Sequence, residues 1–284
     1  MSDLVYLSTN MKDENNILEW VVYHLIIGFD KILIIDNESK IPISKIISDN
    51  HLSNKVDVIV YPGQAIKVPL MKNCVKPYMI KNKVKWFIHL DADEYLNLNN
   101  NYNNIKEFLN NFNQKDTNII AINWVVFGTS LLDNTPIGLL IDNYTLCQNR
   151  NWKRYVKCFA NPKEIKSCTS PHYWVMMPNT KGKTARNKKW PVSEGNTDFI
   201  GLDEPIYINH YIYQSIEDYC RRKVHRPSDF NGKFRGFPIN DGLKTKLHSN
   251  HNDIPNEIIK TKYSSLIKKY MEELKTSPVD NFCV

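Results

Sequence analysis

The segment KWFIHLDADEYL, residues 85–96, decides the fold. An apolar run of strand length comes first, and two carboxylates, Asp91 and Asp93, follow it one residue apart. Ligands of open α/β sheets bind in the crevice at the carboxyl ends of the strands, so both side chains are expected at that edge. A divalent cation held there by one or two carboxylates completes its shell with phosphate oxygens. The segment therefore predicts an α/β fold with a site for a metal ion and a diphosphate.

The acid pair by itself permits other interpretations. Asp91 and Asp93 could simply cap a turn after a core strand. An EF-hand loop is excluded, because it needs Gly and Glu where this chain has Leu96 and Tyr102. A phosphatase with an aspartyl nucleophile also places Asp-x-Asp after an apolar strand. It usually has Thr or Val where Tyr95 stands, and its motif lies near the N-terminus, but it stays open as an alternative function.

Length and composition indicate a globular chain. Its 284 residues, 24% charged and 42% hydrophobic, can bury a core in one large domain or in one domain with an appendage. No apolar run reaches the roughly 18 residues of a membrane span, and the first residues do not read as a signal sequence. We therefore expect a soluble protein of the cytoplasm or of a host cell's cytoplasm. Six scattered cysteines without a C-x-x-C pair favour reduced thiols.

The net charge of +7 suits an anionic partner. Its lysines and arginines are spread along the chain without a dense block or a nucleic-acid motif, so an anionic small substrate explains the charge as well as a polyanion does. We expect no nucleic-acid partner. A non-catalytic module that binds a glycan or a polyanion stays open as a third function.

The first hundred residues alternate between strands and helices in the manner of a parallel α/β sheet. A helix from residue 17 to 25 is closed by Gly28, at the position of a C-terminal cap. The pattern lacks Gly-x-Gly-x-x-Gly and any phosphate-binding Gly-Lys-Ser/Thr loop, so metal and basic side chains must meet the phosphate charge. The pattern predicts a Rossmann-like nucleotide-binding half, with strands at 4–8, 31–36, 56–61 and 85–90 and further helices at 42–50 and 69–81.

Several motifs then occur in a specific order. They are Lys12-Asp13-Glu14, Glu19-Trp20 with Tyr23-His24, Asp36-Asn37-Glu38-Ser39, the acid-pair segment, Trp124 to Ser130, and His210-Tyr211 with Ser215, Glu217, Tyr219 and Lys223. In this set and order the chain resembles glycosyltransferase family 92 and its family-2-like relatives. The resemblance covers most of residues 4–226. Asp13 stands where the family usually has Asn, and residues 180–203 resemble no part of it.

The resemblance implies a GT-A fold. Residues 1–98 would form the nucleotide-sugar-binding half and residues 99–250 the acceptor-binding half, with a C-terminal helical segment at 251–284. It also implies a manganese- or magnesium-dependent transfer from a nucleotide sugar, usually UDP-linked, to the hydroxyl of a glycan or protein acceptor, with inversion at the anomeric carbon. No integral membrane segment is expected.

The resemblance assigns the metal and donor contacts. Asp93 would be a direct metal ligand, Asp91 would contact the metal, its water or the ribose, and His210 would be the third ligand. His172 competes with His210 for that place.

Four further groups are expected near the donor. Glu14 and Asp36 would contact its base or ribose, and either could instead cap a turn. Lys223 and its basic neighbours Arg221, Arg222 and Arg226 could close over the diphosphate or form a solvated helix face.

The acceptor side is less defined. An inverting transfer needs a carboxylate base, for which Asp133 is the first choice and Asp142 and Glu194 are alternatives. The aromatic residues that could stack on a sugar ring, or belong to the core, are Trp124, Phe127, Tyr173, Trp174 and Trp190. Apolar residues at helical spacing predict a last helix within 253–275.

Overall fold

The computed structural model describes residues 3–64, 66–113, 115–149, 155–192, 197, 201–227, 232–234 and 240–276. Within them the strands are β1 (Val5–Met11), β2 (Lys31–Asp36), β3 (Val56–Val60), β4 (Trp86–His89), β5 (Glu94–Asn97), β6 (Ile119–Val126), β7 (Leu146–Cys147), β8 (Val156–Ala160), β9 (Ile165–Cys168), β10 (Trp174–Met176), β11 (Gly182–Thr184), β12 (Lys189–Trp190), β13 (Tyr207–His210) and β14 (Ile254–Pro255).

The helices of the same residues are α1 (Ile17–Ile26), α2 (Ile43–Asp49), α3 (Lys67–Leu70), α4 (Lys76–Lys81), α5 (Ile105–Leu109), α6 (Leu140–Asn143), α7 (Ile216–Tyr219), α8 (Asp241–His248) and α9 (Ile258–Glu273). Two π-helical turns, Met71–Val75 and Cys220–Val224, follow α3 and α7 directly. Short 3₁₀ turns lie at Pro162–Glu164 and Gly201–Asp203.

Strands β4, β1, β2 and β3 are neighbours in that order and run parallel. Buried strands of a parallel sheet read as continuous apolar runs, and β2 and β4 do so in this sequence. Helix α1 ends before Gly28, whose φ of +100° is the left-handed conformation that glycine adopts most readily at such a position. The predicted Rossmann-like half is confirmed, and its strands end at one common edge.

Strand β8 turns the sheet into a mixed one. It lies antiparallel between β4 and β6, so its first residues lie at the edge where β4 ends. Strand β13 runs parallel to β6 and antiparallel to β5. The end of β4, the start of β5, the start of β8 and the end of β13 therefore meet at the same edge of the sheet. The α/β fold class expected from the sequence is confirmed.

The predicted helix at 69–81 differs from the structure in detail. It begins at Lys67 and passes through a π-helical turn before α4. Pro77 lies in the first turn of α4 and has no N–H to donate, so regular α-helical bonding cannot run through this point.

The C-terminal helix expected within 253–275 is α9. It packs against α1, with the rings of Tyr23 and Tyr263 edge to face at 5.3 Å between centroids. Its residues Ile259, Tyr263 and Ile267 are buried in the same core as α1. The division of the chain at residue 250 stays a prediction. Among the described residues, none of the helices is both long and apolar enough to cross a membrane.

Candidate active site

A cavity of about 370 Å³ opens at the edge where these strand ends meet. Its lining combines acidic, basic and aromatic side chains from both halves of the sheet. The described lining residues are Asn10, Glu14, Lys67, Asp91, Ala92, Asp93, Trp124, Lys157, Thr169, Ser170, Pro171, His172, His210, Ile212, Arg222, Lys223, Arg226 and Pro227.

Asp91 and Asp93 lie in the turn that connects β4 to β5, and both line the cavity. The turn is fixed by its own backbone, because the Glu94 N–H donates to the Asp91 carbonyl at 3.0 Å. The Asp91 N–H in turn donates to the Glu94 carboxylate at 2.8 Å. Strand β13 holds the other end, where the Tyr211 N–H donates to the Asp93 carbonyl at 2.8 Å.

The Asp93 carboxylate is buried between two cations. Its Oδ2 atom accepts from Arg222 at 2.6 Å and from the Lys223 ammonium at 3.3 Å. Burial alone would raise the pKa of Asp93, but the charges of Lys223 and Arg222 outweigh it and hold the pKa below its ordinary value. Asp93 is therefore an anion at neutral pH.

His210 faces the other oxygen of Asp93. Its Nε2 atom lies 3.7 Å from Asp93 Oδ1, and the imidazole packs on Trp124 with ring centroids 4.2 Å apart. Burial lowers the pKa of His210 to about 3, so the ring is neutral and has a lone pair to offer. In the described structure its Nδ1 atom is buried without a hydrogen-bond partner.

This donor pair fits a divalent cation only in part. An ion of this class lies about 2.0–2.6 Å from its oxygen ligands, so one ion can touch both atoms of a pair 3.7 Å apart. The described residues contain no group of three His, Cys, Asp or Glu side chains placed to hold a metal. Such a pair suits a cation that completes its coordination with the substrate's phosphates.

Asp91 is engaged differently from Asp93. Its Oδ1 atom accepts from the Lys67 ammonium, and the Lys157 ammonium lies 3.3 Å from Oδ2. Burial opposes ionisation, but Lys157 and Lys67 hold the pKa of Asp91 well below its ordinary value. Lys157 also lies 3.4 Å from Glu94, whose pKa burial raises to about 8. Both Asp91 oxygens thus face lysines, and the geometry favours Asp93 and His210 as the metal pair.

Glu14 completes the polar lining. It pairs with Arg222 at 3.3 Å and with Arg226 at 2.8 Å, and Arg222 also contacts Asp93. The basic cluster expected after His210 thus turns inward at Arg222, which is 6% exposed. Arg221 pairs with Asp218 at 3.1 Å and is absent from the described lining.

The family model of glycosyltransferase family 92 matches residues 6–198, about two thirds of the chain. The chain belongs to glycosyltransferase family 92. The family decides between the three functions left open by the sequence, because it is a family of glycosyltransferases and supports neither the phosphatase nor the binding module.

Other comparisons are distant. No curated protein matches the family 92 chain. The TarS 1–349 structure from S. aureus in complex with UDP is 8% identical with a TM-score of 0.37, covering 57% of this chain and 48% of that one. HddC from Yersinia pseudotuberculosis is 13% identical with a TM-score of 0.35, covering 67% and 92%. The chain thus spans about half the length of the TarS chain.

Two of the residues expected at the family 92 site lie elsewhere. Asp36 is 2% exposed, and its two oxygens accept from the N–H groups of Ser39 and Ile43 at 2.8 and 3.0 Å. It therefore caps a turn and the start of α2, as the alternative interpretation held. Asp133 binds Lys244 and His248 and is absent from the described lining.

The remaining residues expected on the acceptor side lie in different parts of the structure. Asp142 pairs with Lys268 at 2.6 Å, away from the cavity lining. Glu194 lies outside the described residues. Of the five aromatic candidates, Trp124 lines the cavity, whereas Phe127, Trp174 and Trp190 are buried in the core and Tyr173 packs against it.

His172 lines the cavity, and its described ring contacts are with two aromatic side chains. Its ring stacks on Tyr155 at 5.0 Å and meets Trp124 edge to face at 5.2 Å. Burial lowers the pKa of His172 to about 4, so this ring is also neutral.

Lys67 and Lys157 line the cavity but were not predicted from the sequence. Lys157 had a signal in the sequence, because it is the one charged residue of the apolar strand VKCFA. A lysine on a buried strand needs a partner for its charge, which in a site of this kind is an acid or a ligand. Lys67 carries no such local signal.

The family 92 motif Glu19-Trp20-x-x-Tyr23-His24 holds β5 in place. Trp20 donates to the Glu94 carbonyl at 2.9 Å, and the Tyr23 hydroxyl donates to the Leu96 carbonyl at 2.6 Å. The Leu96 N–H donates to His24 at 3.4 Å. These three side chains are fully buried and absent from the cavity lining. We infer that the motif positions the strand that begins directly after the acid pair.

Glu19 provides a pH-dependent test of this packing. Its carboxylate accepts from the Leu140 and Ile141 N–H groups at 2.7 and 3.1 Å, yet burial raises its pKa from 4.5 to about 7. A raised pKa gives stability that is complete below pH 4.5 and is lost as the pH rises through about 7. We expect the wild-type free energy of unfolding to fall between pH 5 and 8 relative to Glu19→Gln, by about 1.4 kcal/mol per unit of pKa shift. Urea unfolding of both proteins measures this, and parallel pH profiles would contradict it.

Proposed function

We propose that the chain transfers a sugar from a UDP-linked donor to the hydroxyl of a glycan or protein acceptor, with a divalent cation at the diphosphate and with inversion. The observation that carries the proposal is the pairing of Asp93 with neutral His210 inside a cavity of net positive charge. A nucleoside diphosphate combines the two things this cavity suits, an anion and a source of further oxygen ligands for a metal ion.

The cation would be held by Asp93 Oδ1 and His210 Nε2. A bound Mn²⁺ or Mg²⁺ ion would supply Lewis-acid stabilisation of the charge that develops on the departing diphosphate. The burial of both side chains keeps competing water away, since Asp93 is 2% exposed and His210 4%.

Basic side chains of the protein would also stabilise the negative charge on the departing diphosphate. Arg222 and Lys223 lie on Asp93 Oδ2, and Arg226 lies on Glu14. Fixed charges aimed at a developing anion cost no reorganisation when the sugar–phosphate bond breaks. We infer that these residues orient the diphosphate and stabilise it as it departs.

The general base stays a prediction. It must lie on the face of the sugar opposite the leaving group and take the acceptor's proton. The three carboxylates of the described lining, Glu14, Asp91 and Asp93, are all paired with basic side chains. Trp124 and His172 are the described lining rings that could pack against the sugar or the acceptor.

A thermal-shift screen tests the donor. The purified chain would be heated with UDP-, GDP-, CMP- and dTDP-sugars, each with manganese, magnesium or EDTA. A ligand that binds only the folded protein stabilises it by about 2.7 kcal/mol at a hundred times its dissociation constant. We expect the largest shift with a UDP-sugar and manganese, and none with uridine, which lacks phosphate. No shift with any nucleotide sugar would contradict the proposal.

A further inference from the structure

The charges of the ionisable side chains that line the cavity do not sum to zero. Five basic residues and three carboxylates line it among the described residues, an excess of two positive charges. Two of the five cations, Lys157 and Arg222, are buried, and an excess of positive charge in a partly buried site favours the binding of an anion. The charged residues are Lys67, Lys157, Arg222, Lys223, Arg226, Glu14, Asp91 and Asp93.

The basic residues form two separate arms. Arg222, Lys223 and Arg226 come from the turn after α7 and contact Asp93 and Glu14. Lys67 begins α3 and Lys157 is in β8, and both contact Asp91. An anion between the arms would be approached by cations from two different parts of the fold.

Lys157 is the more deeply buried of the two lysines in the second arm. Its side chain is 2% exposed and is fixed on a strand between β4 and β6. Its carboxylate distances, 3.3 Å to Asp91 and 3.4 Å to Glu94, exceed the roughly 2.7–2.9 Å of a strong charge-assisted hydrogen bond. An ammonium group carries three protons, so this arrangement leaves Lys157 able to bind a better acceptor.

Lys67 is placed to move toward a ligand. It lies at the start of a four-residue helix, and its side chain is 12% exposed at the cavity. A long flexible side chain can pass from a carboxylate to a phosphate oxygen with little rearrangement of the backbone.

We propose that Lys67 and Lys157 form an anion seat that binds the diphosphate of the nucleotide without a divalent cation. The chain then retains UDP when metal is removed, and the cation serves transfer more than binding. Asp91 is a positioning residue in this arrangement, because it holds the two ammonium groups at the cavity in the absence of a nucleotide. The inference rests on the proposed function, since it concerns the same diphosphate.

Isothermal titration of the full chain with UDP in EDTA tests the seat. We expect the wild type to bind UDP in EDTA, and Lys157→Met and Lys67→Met each to weaken that binding about 10- to 100-fold. Lys163→Met is the matched control, because Lys163 is exposed and lies outside the cavity lining. It should bind UDP as the wild type does. Affinity should also fall with rising salt, and more steeply in the wild type than in either cavity variant.

The outcomes separate the two proposals. Wild-type UDP binding that requires metal, or unchanged affinity of a folded Lys67→Met protein in EDTA, would overturn the anion seat alone. The absence of binding by any nucleoside diphosphate, with or without metal, would overturn the proposed function. If Lys157→Met does not fold, the partly exposed Lys67 decides the result, because its truncation leaves the sheet intact.

Discussion

Asp93→Asn should reduce sugar transfer by about a hundred- to a thousandfold, the loss typical of removing one electrostatic contact to a developing charge. The substitution keeps the size of the side chain and removes the negative charge that faces His210, Arg222 and Lys223. It thereby replaces the anionic carboxylate proposed to hold the cation with a neutral amide, which is a weaker ligand, and it leaves two basic groups without their counter-charge. Initial rates with a UDP-sugar, at several manganese concentrations, measure the effect.

The same substitution should lower the free energy of unfolding. Removing one partner of a buried ion pair costs about 3–5 kcal/mol, so folding must be checked by urea denaturation before the rate is interpreted. Asp49→Asn is the matched control, since Asp49 pairs with Lys45 on the surface and should change neither stability nor rate appreciably. Transfer within tenfold of wild type by a folded Asp93→Asn protein would show that Asp93 does not serve the diphosphate.

Trp20→Ala should be among the most destabilising substitutions in the chain, at about 3–5 kcal/mol. The indole is fully buried and donates to the Glu94 carbonyl, so its loss leaves a cavity and an unpaired carbonyl under the acid-pair turn. Urea unfolding measures the cost. Transfer should fall in step with the fraction unfolded.

Tyr23→Phe is a milder substitution in the same motif, for comparison with Trp20→Ala. It removes only the hydroxyl that donates to Leu96 and should cost about 1 kcal/mol, with transfer retained at low temperature. If Trp20→Ala abolished transfer while its free energy of unfolding stayed within about 1 kcal/mol of wild type, the motif would act in the chemistry rather than in positioning β5.

Local features of the sequence predicted strands β1 to β4 and the acid turn. Strand β4 is an apolar run followed directly by polar residues. Adjacent residues in the sequence are therefore enough to predict both the strand and the position of Asp91 and Asp93 at its end. The end of α1 was predicted from Gly28, which adopts a positive φ directly after the helix. Asp36 was ambiguous, because a carboxylate after a strand can meet a ligand or the backbone. Only the fold shows that two N–H groups already occupy it.

Residues that act across the fold were not predictable in this way. The partners of Asp91 come from α3 and β8, and no local pattern states that β8 lies antiparallel beside β4. Asp133 failed to reach the cavity for a related reason. It soon follows the Trp124 segment in sequence, but Ser130 and Leu131 both adopt positive φ, 49° and 62°, and the chain beyond them binds α8 instead.

The two π-helical turns have a consequence for how this site can change by insertion and deletion. Each contains one residue more per turn than an α-helix, and each adjoins one arm of the basic lining, after Lys67 and around Arg222. Deleting one residue from Cys220–Val224 would let an ordinary helix form at little cost in backbone hydrogen bonds. It would also rotate the helical side chains that follow the deletion, Lys223 among them, by about 100° about the helix axis. We therefore expect a variant one residue shorter at Cys220–Val224 to keep the strands of the sheet and to lose the contact between Lys223 and Asp93.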